Sequence, residues 1–195
     1  MTEAEWLDST DPGEMVEFLR GRKASDRKAR LLACGVSRML LVQGGVAEEL
    51  ADVIELTERL ADGARVKRKV KEAWKEAWNV ANPGSFDAAS GAVGDGALNK
   101  QRRNMPGLIR CVFGNPFQEK SVAPNWLTSI VTSLAQAAYD DRALPSGHLD
   151  TQRLAILADA LEDAGCTETW VLNHLRSAGP HVRGCRALDL LLGTT

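Results

Sequence analysis

Apolar residues in this chain recur at helical spacing in one short segment after another, and most segments carry their own start and stop signals. Thr2 with Glu5 three residues on forms a capping box ahead of Trp6. Asp11-Pro12-Gly13-Glu14 reads as a second helix start, with Asp11 as cap and Pro12 in the first turn, and Gly21 as its end. Ser25 opens a third helix with Leu32, Val36, Met39 and Leu40 on one face, stopped by Gly44-Gly45. A fourth carries Val46, Leu50, Val53, Ile54 and Leu60 and leaves through Asp62-Gly63, and a fifth spaces Val66, Val70, Trp74 and Trp78 by four. No convincing period-2 strand interrupts this rhythm, so the expected class is all-α.

The second half follows the same grammar. Met105-Pro106 begins a short helix that Gly114 ends, and Pro124 is placed at the start of another carrying Trp126, Leu127, Ile130, Val131 and Leu134. Thr151 to Ala164 is the clearest helix, with Leu154, Leu157 and Leu161 as its core stripe and Gly165 as its stop. Thr167 is expected to cap the next, with Trp170, Val171 and Leu175, and Gly179-Pro180 to open the last, with Val182, Leu188, Leu191 and Leu192. The sum is about eight to ten helices, in a multi-helix bundle or stacked helical pairs. Residues 82–104 are rich in Gly, Ala, Ser and Asn and read as a flexible or weakly ordered linker. It would divide an N-terminal unit, 1–81, from a C-terminal one, 105–195, although the two can pack as one domain.

The formal net charge of -2 excludes a uniformly basic nucleic-acid binder. It is a cancellation between blocks: residues 1–17 sum to -6 and residues 20–38 to +6, and positive blocks recur at 65–76 and 100–110. Surface pairing between neighbouring helices is favoured over an anion or nucleic-acid site built from these blocks. No apolar run reaches the roughly 18 residues of a membrane span, and Met1-Thr2-Glu3-Ala4-Glu5 is no secretory leader. The expectation is a cytoplasmic protein with four free thiols, Cys34, Cys111, Cys166 and Cys185.

Chemistry-bearing residues gather in one place. Cys166, His174, His181 and Cys185 offer the donor types zinc prefers, at a spacing C-x7-H-x6-H-x3-C that matches no finger or ribbon. Core packing of the two cysteines is favoured over a metal. His181 and Cys185, four apart, would share a face of the last helix and could form an activated Cys–His pair. His181 and Arg183 at the expected helix start after Gly179-Pro180 are anion-binding candidates, weighed against an ordinary turn. His148 is taken to be solvated in a loop. GxSxG, HExxH and a phosphate-binding loop are absent, and Gly91-Ala92-Val93-Gly94-Asp95-Gly96 lacks a preceding strand. No catalytic residue and no cofactor is assigned. The preferred expectation is a non-enzymatic interaction or scaffold module with a protein partner; the alternatives are a metal- or thiol-dependent site at the His/Cys residues, and anion binding by the basic blocks.

Several motifs carry a resemblance. Met1-Thr2-Glu3-Ala4-Glu5-Trp6-Leu7, Phe18-Leu19-Arg20-Gly21 and Ala24-Ser25-Asp26-Arg27-Lys28 lie at one end. Phe113-Gly114-Asn115-Pro116-Phe117, Trp126-Leu127-Thr128, the run from Ile156 to Cys166, Gly179-Pro180-His181-Val182-Arg183-Gly184-Cys185 and Asp189 to Gly193 lie at the other. Together they resemble a large, lineage-expanded family of bacterial proteins to which no activity is assigned. The likeness covers both ends and omits roughly residues 40–105. Members of that family often carry several cysteines where this chain has Ala33-Cys34-Gly35-Val36-Ser37, and one at the position of Leu175. The resemblance therefore implies family membership and no shared cysteine-based metal site.

Overall fold

The computed structural model describes residues 1–22, 24–42, 50–65, 103–119 and 121–194. Among these residues it has nine α-helices: α1 (Glu3–Asp8), α2 (Pro12–Gly21), α3 (Asp26–Leu41), α4 (Leu50–Ala61), α5 (Met105–Phe113), α6 (Ser129–Asp140), α7 (Thr151–Asp163), α8 (Thr169–Arg176) and α9 (Arg186–Leu192). The fold is all-α, within the expected range of helix number. None of these helices is long and apolar enough to cross a membrane. The expected fifth helix with Trp74 and Trp78, the stop at Gly44-Gly45 and nearly all of the 82–104 segment lie outside the described residues.

The first two helix starts form as their sequences dictate. The Thr2 hydroxyl accepts from the Glu5 amide while the Glu5 carboxylate accepts from the Thr2 amide. The Asp11 carboxylate accepts from the amides of Gly13 and Glu14. Other boundaries moved. Pro124–Trp126 is a single 3-10 turn, and α6 starts only after Thr128, whose side chain accepts from the Val131 amide. Ile130, one of the apolar residues expected on that helix, is 66% exposed, while Val131 is buried. Glu168, not Thr167, precedes α8. Two strands of two residues each, β1 (Arg142–Ala143) and β2 (His148–Leu149), pair antiparallel, too short for a period to announce them.

The last helix is the main correction. Pro180 does not begin it: residues 177–185 are a loop, and α9 starts at Arg186. Gly184 sits at φ 82°, a left-handed conformation that no α-helix contains. A Cβ there would lie 2.8 Å from Leu31 Cδ1, so only glycine lets the loop press onto α3.

Two apolar cores share α5. One joins Trp6, Met15, Val16, Leu19, Leu32 and Val36 with Met105, Leu108, Ile109 and Val112 of α5. The other is built from α6 to α9 around Leu154, Leu157, Leu161, Val171 and Leu188, and takes in Cys111 of α5. Seven of the nine α5 residues are buried, as a helix apolar all round must be. A segment assigned by sequence to the C-terminal unit thus also packs against α2 and α3.

The charge blocks also meet inside the fold. Asp189 of α9 is fully buried, 2.7 Å from Arg27 Nη1 and 3.0 Å from Lys28 Nζ. Arg27 reaches Asp62 at 2.8 Å as well. Arg38 pairs with Glu58 at 2.8 Å and Glu55 at 2.9 Å, and Arg142 closes on both glutamates. Arg22 lies over the rings of Phe18 and Phe117. Much of the basic block 20–38 is therefore spent internally. Of the block 100–110, Arg110 donates to the carbonyls of Trp6 and Ser9, while the block 65–76 lies outside the described residues from 66 on.

Candidate metal centre

Four donor side chains converge where α5, α8 and the loop before α9 meet. Cys111, His174, His181 and Cys185 place one ligand atom each within 4.8 Å of all the others. Cys111 comes from the last turn of α5 and His174 from the last turn of α8. His181 and Cys185 come from the loop, so they share a loop and not the helix face expected of their spacing. Cys185 is the residue that precedes the first turn of α9.

The loop is pinned along its length. The Leu149 amide donates to His181 O at 2.9 Å, tying the loop to β2. Val182 is buried in the first core. Lys28 Nζ donates to Gly184 O at 3.3 Å and to Val112 O at 2.6 Å, linking the loop to the end of α5. The Cys185 amide donates to Val182 O, closing a tight turn. Gly107 of α5 leaves room for the Pro180 ring, which a Cβ would approach to 3.1 Å. Ring and sulfur positions are thus set by packing on every side.

The distances assign roles to individual atoms. His174 Nε2 lies 3.1 Å from Cys185 Sγ. His181 Nδ1 lies 3.9 Å from Cys111 Sγ, while its Nε2 lies 3.1 Å from Ser177 O and 3.2 Å from Ser177 Oγ. With Nε2–H donating to the Ser177 carbonyl, the lone pair of His181 is on Nδ1, facing the sulfurs. This is the arrangement by which metal-ligating histidines are oriented from behind. The two imidazoles meet edge to face, with ring centroids 4.8 Å apart.

Electrostatics favours a negative Cys185. The hydrogen bond from the Cys111 thiol, aided by His174 and His181 and opposed by burial, holds the Cys185 thiol well below its ordinary range. The same shared hydrogen bond, together with burial, pushes Cys111 up. Burial disfavours a charged His174, yet the Cys185 sulfur outweighs it and raises the imidazole. Both shifts favour charge separation between Cys185 and His174, with the Cys111 thiol beside them. A tetrahedral zinc ion, with bonds of about 2.1 Å to nitrogen and 2.3 Å to sulfur, separates its ligand atoms by roughly 3.3–3.8 Å. The His174–Cys185 pair at 3.1 Å would widen slightly and the His181–Cys111 pair at 3.9 Å would close slightly to reach that geometry.

Sequence reasoning named three of the four donors and missed Cys111, which lies 63 residues before His174. No spacing rule spans that distance; only the burial of α5 between the two cores brings its sulfur in. Cys166, the fourth candidate from sequence, packs in the second core and stands outside the group. The Arg183 guanidinium lies 5.3 Å over the Tyr139 ring, and its Nε is 3.5 Å from Asp62. His181 is buried and turned into the donor group. His148 is exposed, as the sequence suggested, beside a cavity of about 510 Å³ that also reaches His181.

Compared with models of known families, with curated proteins and with solved structures, the chain matches none of them.

Proposed function

We propose that the chain is a metal-stabilised helical interaction module, which holds one zinc-type ion between Cys111, His174, His181 and Cys185. The observation that carries the reading is the convergence of two sulfurs and two imidazoles within 4.8 Å, contributed by α5, α8 and the loop before α9. Two cysteines and two histidines complete a tetrahedral shell by themselves, which is the mark of a structural ion and leaves no position for substrate. Cys185 has no exposed surface, which argues against its use as a nucleophile. The ion would lock the loop to both cores, so its binding energy is folding energy. All four cysteines are free thiols, which suits a reducing compartment such as the cytoplasm. The helical surface, held rigid in this way, serves a protein partner, and membership of the bacterial family resembled by the terminal motifs belongs to the same proposal.

Elemental analysis of protein purified without added metal tests this directly. The expected result is one zinc per chain, lost in Cys185→Ala and His174→Ala and retained in Cys166→Ala. Cobalt loading should give the visible absorption of a tetrahedral thiolate site. Wild-type protein that is metal-free and takes up neither zinc nor cobalt under reducing conditions overturns the reading.

A further inference from the structure

A second cavity, of about 390 Å³, opens between α1, the end of α5 and the segment after it, and the helices α8 and α9. Its volume is that of small-molecule sites. The apolar wall is made by Leu7, which is 53% exposed, and by the ring of Trp170. The polar wall holds two arginines, Arg110 and Arg186, and no aspartate or glutamate.

Neither arginine is neutralised by an ion pair among the described residues, in contrast to Arg27, Arg38 and Arg142. Arg110 spends Nε and Nη2 on the uncharged carbonyls of Trp6 and Ser9, which fix its plane without cancelling its charge. Burial lowers its pKa, with Asp8 only partly offsetting this. The stem of Arg186 runs across Gly114, where a Cβ would lie 3.0 Å from Arg186 Cδ. Gly114 stands at φ 68°, so the glycine both turns the chain and lets the guanidinium lie on the cavity wall. The nearby Glu3 carboxylate is occupied at the rim, where it accepts from Asn115 Nδ2 and Gln118 Nε2.

An arginine fork is shaped for a carboxylate, and an indole face beside it for a flat apolar body. We propose that this cavity binds a small organic acid with a planar apolar body, its carboxylate held by Arg186 and Arg110 and its ring laid against Trp170. The cavity adjoins the proposed ion site, since His174 also lines it, but Arg110, Arg186 and Trp170 are not among the four donors.

The test is a titration of the intact protein with 2-naphthoate, its neutral counterpart 2-naphthalenemethanol, and 2-naphthyl phosphate, followed by tryptophan fluorescence and calorimetry. Saturable binding of 2-naphthoate is expected, at least about tenfold tighter than the alcohol, because a charge-assisted bidentate pair is lost in the neutral compound. Arg186→Gln should weaken the acid by about tenfold and leave the alcohol unchanged, while circular dichroism and zinc content stay at wild-type values. Trp170→Ala should weaken both compounds. Tighter binding of the phosphate than of the carboxylate would reassign the anion and overturn the carboxylate proposal. Equal affinity for acid and alcohol, or no saturable binding of the acid at millimolar concentration, would overturn it too.

Discussion

The fold buries polar groups in two different ways, and the contrast separates charges paired within the chain from electron-pair donors gathered on one another. Around Asp189, a buried carboxylate meets Arg27 and Lys28, so cation and anion answer each other within the chain. Around Cys185, two thiols and two imidazoles turn one donor atom each toward one another, with no carboxylate among them. The first cluster is closed by ion pairing. The second is a set of electron-pair donors that neutralise each other only by sharing protons, and a divalent cation is the partner that all four can serve at once.

The largest effect expected from this contrast is metal removal. Stripping the ion with a chelator should lower unfolding free energy by more than about 5 kcal/mol, read from a denaturant titration under reducing conditions. An unchanged midpoint would erase the distinction between the clusters. Next is Asp189→Asn, which leaves the buried Lys28 without its counterion and Arg27 with Asp62 alone. It should cost about 3–5 kcal/mol while zinc content stays at one per chain, so stability and metal loading separate. Loss of zinc in that variant would show the two clusters to be one cooperative unit.

Gly184→Ala should cost roughly 2 kcal/mol, because the residue must hold a positive φ and Leu31 must move from its Cβ. As this glycine immediately precedes Cys185, the variant should also weaken zinc retention against a competing chelator. The smallest effect is Cys166→Ala, about 1 kcal/mol from a small core void with full zinc content. That variant sharpens the comparison, since Cys166 and Cys111 are both buried thiols and only one belongs to the donor group.

Much of the helical framework was legible because its causes are local. The Thr2–Glu5 capping box, the Asp11-Pro12 start and the Leu154, Leu157, Leu161 stripe each lie within a few turns of chain. The failures are equally physical. Pro124 and Pro180 are compatible with a first helical turn, but each is also at home in a turn or loop, and tertiary packing chose the latter. At Pro180 the contacts are remote: β2 holds His181 O, Lys28 holds Gly184 O, and Leu31 packs so close to Gly184 that this left-handed loop backbone admits no Cβ there.

The candidate site was half legible. His174, His181 and Cys185 fall close enough in sequence to be noticed, and their identities alone pointed to metal or thiol chemistry. Cys111 carried no such signal. It sits in an apolar helix where a cysteine is an ordinary small core residue. Arg186 likewise offered nothing to distinguish it from a surface arginine until α9 was seen beside Gly114.

By itself, the sequence determined that this chain forms helices, where most of them begin and end, and which residues could serve as ligands, because capping, periodicity and donor chemistry are properties of short stretches. Only the tertiary structure decided that the opposing charge blocks meet in buried pairs, that α5 lies between both cores, and that Cys111 rather than Cys166 joins the donor group. Those outcomes depend on which helices pack together, and that is set by the burial of whole faces across more than a hundred residues of intervening chain, as between Lys28 and Gly184.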